Sequence, residues 1–94
     1  MIEWTEQAVQ QLKHVHDHIA LSNSEEVAAR ITRHVAARVQ QLESFAMSGR
    51  SSRVACTREL VISDTPFIVA YTIDDERIVV LALYHGAQKW PNSF

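Results

Sequence analysis

The chain has 94 residues, 47% of them hydrophobic, and its 9 lysines and arginines against 11 acids give a formal net charge of −2. This composition excludes a disordered chain, and the negative charge excludes a protein that binds polyanions over its whole surface. No apolar run approaches the roughly 20 residues that cross a membrane, so we expect no membrane partner. A chain of this length has room for one hydrophobic core, which predicts a single domain over residues 1–94.

The N-terminus and the cysteine count indicate the compartment. The first seven residues, MIEWTEQ, lack the basic and apolar regions of a secretory signal. The single cysteine, Cys56, has no second cysteine in the chain with which to form a disulfide, and this suits a reducing environment. We therefore expect a cytoplasmic protein.

The N-terminal half predicts a short strand followed by two helices. Residues 2–4 alternate as an edge strand does, and Thr5 ahead of Glu6 is typical of an N-cap followed by a first-turn acid. Either Ser22 or Ser24 caps the second helix, and so short a link predicts an antiparallel helical hairpin. The apolar faces, at helical spacing, consist of Ala8, Leu12, Val15 and Ile19 in the first helix and Val27, Ile31, Val35, Val39, Leu42 and Phe45 in the second.

The C-terminal half predicts a sheet. A polar, arginine-bearing loop at residues 48–57 precedes three β-rich runs at 57–62, 67–73 and 77–85, which turn sequences separate. Short links between strands indicate an antiparallel meander. We therefore predict an α+β fold in which an N-terminal helical hairpin packs on a small antiparallel β-sheet, a three-stranded meander plus a short N-terminal strand.

Both faces of this predicted sheet are apolar. Strict alternation places Phe67, Val69, Tyr71 and Ile73 opposite to Ile68 and Ala70, and places Val79, Leu81 and Leu83 opposite to Ile78, Val80 and Ala82. One pair of helices can cover only one face. Either the sheet curves and the C-terminal tail folds back on it, or the second face is an apolar surface for a partner.

Three histidines, His14, His16 and His18, fall within the first predicted helix. His14 and His18 share a face at i, i+4 with Asp17 nearby, a spacing that could hold a metal ion. The chain has no H-E-x-x-H and no second ligand pair. We therefore prefer a solvated helix face to a metal site, and we expect no metal and no cofactor.

Arginines concentrate in the loop and at the strand starts. Arg50 and Arg53 lie in the loop, while Arg58 and Arg77 each begin a strand. In a meander Arg58 and Arg77 could approach one edge of the sheet, where guanidinium groups bind phosphate bidentately. The alternative is that both pair with neighbouring carboxylates as solvated charges.

The end of the chain holds a second group of candidate residues. His85 closes the last strand and could transfer protons in phosphodiester cleavage, with Lys89 stabilising charge. The alternative is that His85 ends the strand and that Trp90 and Phe94 anchor the tail. Together with the arginines, the candidates for binding a target or phosphate are Arg50, Arg53, Arg58, Arg77, Lys89 and Trp90.

Three segments of the C-terminal half carry a family resemblance. They are TRELVI at 57–62, TPFIVAY at 65–71 and IVVLALYHGAQKWP at 78–91, of which the H-G-A-x-x-W-P ending is the most specific. They resemble the RelE/ParE superfamily, the toxins of bacterial type II toxin–antitoxin modules. The predicted order of elements agrees with that superfamily over essentially the whole chain. The resemblance implies a growth-inhibiting toxin of a plasmid-stabilisation or stress system.

The resemblance also implies a partner. In this superfamily a small antitoxin neutralises the toxin by wrapping an extended or helical segment over its sheet and helices. Such an antitoxin would bury the second apolar face, beside a toxin dimer or in an antitoxin-bridged heterotetramer. Antitoxins usually carry the DNA-binding part, so this chain is not expected to bind DNA itself.

The superfamily has two branches with different targets. RelE-like members cut messenger RNA in the ribosomal A site, whereas ParE-like members poison DNA gyrase without a catalytic group. Arg58 matches the arginine that opens the second strand of the nucleases, and Tyr84-His85 resembles the Tyr-His of YoeB-like nucleases. If the chain is a nuclease, the catalytic residues implied are Arg58, Arg77, His85, Lys89 and Tyr84.

Departures from the nuclease pattern favour the gyrase branch. YoeB-like nucleases follow the histidine with a tyrosine, where this chain has Gly86, and residues 48–57 contain no glutamate or lysine that could serve in catalysis. A net charge of −2 also suits a ribosomal A site poorly. We favour a gyrase-inhibiting toxin that is not an enzyme. The alternative is a ribosome-dependent mRNA endoribonuclease, and the third possibility is a non-toxic interaction module.

Overall fold

A computed structural model describes residues 1–86 of the chain. In chain order its helices and strands are β1 (Ile2–Trp4), α1 (Glu6–Ser22), α2 (Glu25–Gln40), β2 (Arg50–Ser51), β3 (Arg58–Val61), β4 (Phe67–Asp74) and β5 (Arg77–His85). Two 3-10 turns, Gln41–Glu43 and Ala46–Ser48, connect α2 to β2. Over the described residues, no helix is long and apolar enough to cross a membrane.

The strands form one sheet in the order β1-β5-β4-β3-β2, and residues of both helices share the core with it. The predicted α+β class, a helical hairpin on a small sheet, is confirmed. The sheet is mixed rather than antiparallel, because β1 runs parallel to β5. It also has one strand more than predicted, since β2 lies within the predicted loop and pairs with β3. A strand of two residues is too short to leave an alternating pattern in the sequence.

Both helices begin at residues that the sequence indicates. The Thr5 hydroxyl accepts a hydrogen bond from the amide of Ala8 at 3.1 Å, and the Ser24 hydroxyl accepts one from Val27 at 3.1 Å. Ser24 is therefore the cap of α2, whereas Ser22 ends α1 and donates to the carbonyl of His18. These caps satisfy amide groups that a helix N-terminus otherwise leaves unpaired.

The predicted apolar face of the second helix does not reach Phe45. The α-helix ends at Gln40, and the chain tightens into a 3-10 turn in which Leu42 is still fully buried. A 3-10 turn has 3.0 residues per turn instead of 3.6, so the residues that follow rotate away from the helical face. Phe45 is consequently 68% exposed, which corrects the prediction that it belongs to the core.

A β-bulge changes which residues of β5 face the core. Ala70 pairs with Ala82 and Tyr71 pairs with Val80, so Leu81 is an extra residue in β5. The extra residue reverses the alternation beyond it. Leu83 therefore joins Val80 in the core cluster, and the prediction that these two residues face opposite sides is wrong.

Thr5 connects the start of α1 to this bulge, which gives a first testable prediction. Its hydroxyl caps the helix and also donates to the carbonyl of Leu81 at 3.1 Å. We expect Thr5→Ala to lower the free energy of unfolding by about 1–2 kcal/mol, measured by urea denaturation, because both bonds are lost. Ser24→Ala is the matched control, since it removes a cap alone. An equal loss in the two variants would mean that the bond to Leu81 does not contribute to stability.

Candidate functional site

Arg58 lies on the side of β3 that faces the helices, and it binds the backbone of the preceding segment. Its Nε donates to the carbonyl of Gly49 at 2.9 Å, and its Nη2 donates to the carbonyl of Met47 at 3.3 Å. Leu60, two residues further along the same strand, is buried in the core. The Arg58 guanidinium is thus engaged by backbone carbonyls at the edge of the core.

Tyr71 of β4 binds the backbone of the same segment through its hydroxyl group. Its hydroxyl donates to the carbonyl of Ala46 at 2.7 Å and accepts from the amide of Gly49 at 2.9 Å, and the residue is 0% exposed. A Cβ at position 49 would lie 2.5 Å from this hydroxyl oxygen, so only glycine fits there. We call residues 45–49 the 45–49 segment. Tyr71 and Arg58 together bind its backbone at residues 46, 47 and 49.

The two loop arginines differ in their surroundings. Arg50, whose side chain is 65% exposed, forms a hydrogen-bonded ion pair with Glu59 of the neighbouring strand. Arg53 is exposed and makes no hydrogen bond or ion pair with the rest of residues 1–86. Arg53 is therefore the loop cation that is open to an external anion.

Arg77, at the start of β5, lies among carboxylates. Its guanidinium donates to Asp74 at 2.8 Å and lies 3.3 Å from the carboxylate of Glu3. The hydrogen bond to Asp74 and the charge of Glu3 raise the pKa of Arg77 above its ordinary value. Arg58 lies opposite Tyr71 and Arg77 lies opposite Asp74 of β4, positions of opposite parity. The two arginine side chains therefore leave opposite faces of the sheet and have different partners.

His85 lies at the far end of β5 from Arg77. Residue 85 pairs with Phe67 at one end of the β4–β5 ladder, and Arg77 pairs with Asp74 at the other. The rings of His85 and Phe67 meet edge to face, with centroids 5.9 Å apart. Arg77 and His85 are the two end residues of the nine-residue strand β5, so they lie about 26 Å apart at ~3.3 Å per residue step.

An apolar groove opens between α1 and this end of the sheet. It has a volume of about 480 Å³. Gln11 lies on its wall and accepts a hydrogen bond from the amide of Leu83 at 2.8 Å, beyond the point where β1 stops pairing with β5. We call it the α1–β5 groove, and the other residues that line it are His14, Val15, His18 and Ile19 of α1, Phe67 of β4, and Leu83, Tyr84 and His85 of β5.

The three histidines of α1 have different surroundings. His14 and His18 are exposed, and His16 contacts Glu25 at 2.9 Å. In the described part of the chain, no group of three or more histidine, cysteine or acidic residues could hold a metal ion. Lys89 and Trp90, predicted to bind a target or phosphate, lie outside the described residues, as does Phe94.

Sequence reasoning did not identify the 45–49 segment or the α1–β5 groove. The serine-glycine pair at 48–49 was a signal of a close backbone approach, but nothing local indicates that Tyr71 makes the contact. Gln11 gave no signal, because its amide binds a strand 72 residues away in sequence.

The whole chain has relatives among known proteins. Residues 2–90 match the family model described as the ParE toxin of type II toxin–antitoxin system, parDE. A relative from Sinorhizobium fredii (strain NBRC 101917 / NGR234), named "Putative toxin Y4kP", is 33% identical over 90 residues, which cover 96% of this chain and 92% of the relative. A solved structure, "Chromosomal ParDE TA system from P. aeruginosa", shares the fold. Its TM-score is 0.83 at 23% identity, and the match covers 89% of this chain and 92% of that one.

Proposed function

The chain belongs to the ParE family of toxins of type II toxin–antitoxin systems, and on that premise we propose that it stops growth by binding and inhibiting DNA gyrase. A cognate antitoxin is then the partner that neutralises it. The proposed action is inhibition by binding, without a catalytic step. The observation that carries this proposal is that, within residues 1–86, the register holds Arg58 and Arg77 away from His85.

Cleavage of a phosphodiester needs an acid or base and a cation within hydrogen-bond reach of the same few atoms. His85 and Arg77 lie at opposite ends of β5, and Arg77 is occupied by Asp74 and Glu3. Arg58 is engaged by the carbonyls of residues 47 and 49. Arg58 and Arg77 thus have separate partners, which supports a toxin that acts by binding.

The α1–β5 groove supports antitoxin binding. Its lining is mostly apolar by area, and it follows the part of β5 beyond the three residues that pair with β1. A partner segment lying there would bury Val15, Ile19 and Phe67 further, and removal of apolar area from water drives association. We propose that the antitoxin occupies this groove.

The test combines purified proteins with cells. We expect the wild-type chain to inhibit supercoiling by purified gyrase and, when induced in bacteria, to reduce incorporation of DNA precursors before protein precursors. His85→Ala should inhibit gyrase within about twofold of the wild type, because no catalytic group is removed. The chain premixed with its antitoxin is the control and should leave gyrase active.

Two results would contradict the proposal. If translation stops first, messages are cut and His85→Ala is harmless, the chain is a ribosome-dependent endoribonuclease. If neither synthesis falls and growth continues, the chain is a non-toxic interaction module.

A further inference from the structure

Two large apolar side chains of the 45–49 segment project into solvent. Phe45 is 68% exposed and Met47 is 65% exposed. Other exposed apolar residues, such as Val9 and Leu21, lie elsewhere on the molecule, on α1. A phenylalanine and a methionine two residues apart are a pair that contributes nothing to the core and adds apolar surface to the free protein.

The segment that carries them is rigidly supported. The Tyr71 hydroxyl binds the backbone of residues 46 and 49, and Arg58 binds the backbone of residues 47 and 49. Gly49 is buried and has no room for a side chain. Phe45 and Met47 are therefore presented by a backbone that has little freedom left to lose on binding, and this lowers the entropic cost of association.

Cations border the same segment. Arg50 and Arg53 follow it directly, and residues 44–58 contain three arginines and no acid. Three carboxylates, those of Glu43, Asp75 and Glu76, line a hollow with Ala46. Glu59 pairs with Arg50, and backbone carbonyls engage Arg58, so Arg53 is the loop arginine that makes no hydrogen bond or ion pair within residues 1–86. Aromatic residues, methionine and arginine are the side chains enriched in the cores of protein–protein interfaces. We call Phe45, Met47, Arg50 and Arg53, which fall within residues 45–53 of the chain, the arginine-loop surface.

We propose, on the premise that the chain acts as a toxin on a protein target, that the arginine-loop surface is where the target binds. The target offers an apolar pocket for Phe45 and Met47 and a carboxylate for Arg53. A protein fits better than DNA, because phosphate contacts would leave both apolar side chains in water. The net charge of −2 and the Arg50–Glu59 pair also leave few cations for a DNA backbone.

This surface is separate from the α1–β5 groove. The groove lies along α1 and the ends of β4 and β5, whereas the arginine loop lies at the β2 edge, beyond β3. Substitutions in the arginine-loop surface should therefore weaken target binding while the antitoxin still binds. Mutation should therefore separate target binding from antitoxin binding.

The experiment compares Phe45→Ala/Met47→Ala and Arg53→Glu with the control Val9→Ala/Leu21→Ala, which removes exposed apolar groups from α1. Thermal unfolding checks that all variants fold like the wild type. Growth inhibition measures target binding whatever the target is, gyrase supercoiling tests the proposed target, and calorimetric titration measures antitoxin affinity. We expect the first two variants to need about tenfold to a hundredfold more protein for inhibition, with antitoxin affinity unchanged.

Each other outcome contradicts a stated claim. Folded Phe45→Ala/Met47→Ala that remains fully toxic would overturn the target-binding surface. Loss of antitoxin binding in that variant would assign the surface to the antitoxin, and loss of self-association with toxicity retained would assign it to a second copy. Binding of the wild type to a DNA duplex that Arg53→Glu abolishes would replace the protein target by DNA. If toxicity depends on this surface but gyrase is not inhibited, the target-binding surface is supported and gyrase is refuted as the target. A wild type that is not toxic would refute both the surface and the gyrase proposal.

Discussion

Replacing Tyr71 by phenylalanine is expected to lower the free energy of unfolding by about 2–4 kcal/mol, a large effect for a single oxygen atom. The hydroxyl serves two backbone groups, the carbonyl of Ala46 and the amide of Gly49. Tyr71 is 0% exposed and Gly49 is buried, so water cannot easily replace the lost bonds. A buried donor or acceptor left without a partner costs about 1–3 kcal/mol.

Urea denaturation of the wild type and of Tyr71→Phe measures this effect. Thr72→Val is the control, since it removes one hydrogen bond of the next residue, from the Thr72 hydroxyl to the carbonyl of Cys56. Gly49→Ala should also destabilise, because its methyl group would clash with the Tyr71 ring and push the hydroxyl away from its two partners. If Tyr71→Phe changes stability no more than Thr72→Val, the hydroxyl does not hold the 45–49 segment.

Much of the fold could be predicted because local signals determine it. Thr5 and Ser24 have the side chains that cap helices, and the α1 stripe of Leu12, Val15 and Ile19 does pack against the core. The turn at 74–76 likewise separates β4 from β5 where the sequence indicates. Each of these features depends on residues within a few positions of one another.

The wrong predictions concern features that depend on residues distant from one another in the sequence. Strict alternation assumes a regular ladder, and the extra residue Leu81 in β5 reverses it for Leu83. Strand β2 exists because its two residues pair with β3, and no local pattern encodes that pairing. The exposure of Phe45 follows from the change from α-helix to 3-10 turn, which helical spacing cannot foresee.

The candidate site was predicted by residue type but not by position. Arginines and a histidine do occur at strand ends, as a nuclease would require. Whether they meet depends on the register, and the register separates Arg77 from His85 by the length of β5. The sequence did offer neighbouring carboxylates as partners for Arg77, and Asp74 of β4 is one of them. The second partner, Glu3 of β1, is distant in sequence, and only the folded sheet reveals it.

Placing two carboxylates at the α1–β5 groove is expected to weaken antitoxin binding about a hundredfold. His14 and His18 line the groove and are exposed, so His14→Glu/His18→Glu should leave the fold intact. An antitoxin segment in the groove would have to remove water from both new charges without an opposite charge to pair them. Burying an unpaired charge costs several kcal/mol. Because both new carboxylates would stay partly exposed at the rim of the groove, we expect the loss of binding free energy to be about 2–3 kcal/mol.

Calorimetric titration with the purified antitoxin measures the affinity, and growth of cells that express both proteins shows whether rescue fails. Val9→Glu/Lys13→Gln is the matched control, because it changes the formal charge of the same helix equally at residues that do not line the groove. Toxicity of the groove variant without antitoxin should remain, since the arginine-loop surface is untouched. Equal affinities for the groove variant, the control and the wild type would place the antitoxin elsewhere on the toxin. A groove variant that binds antitoxin normally but no longer inhibits growth would instead assign the groove to the target.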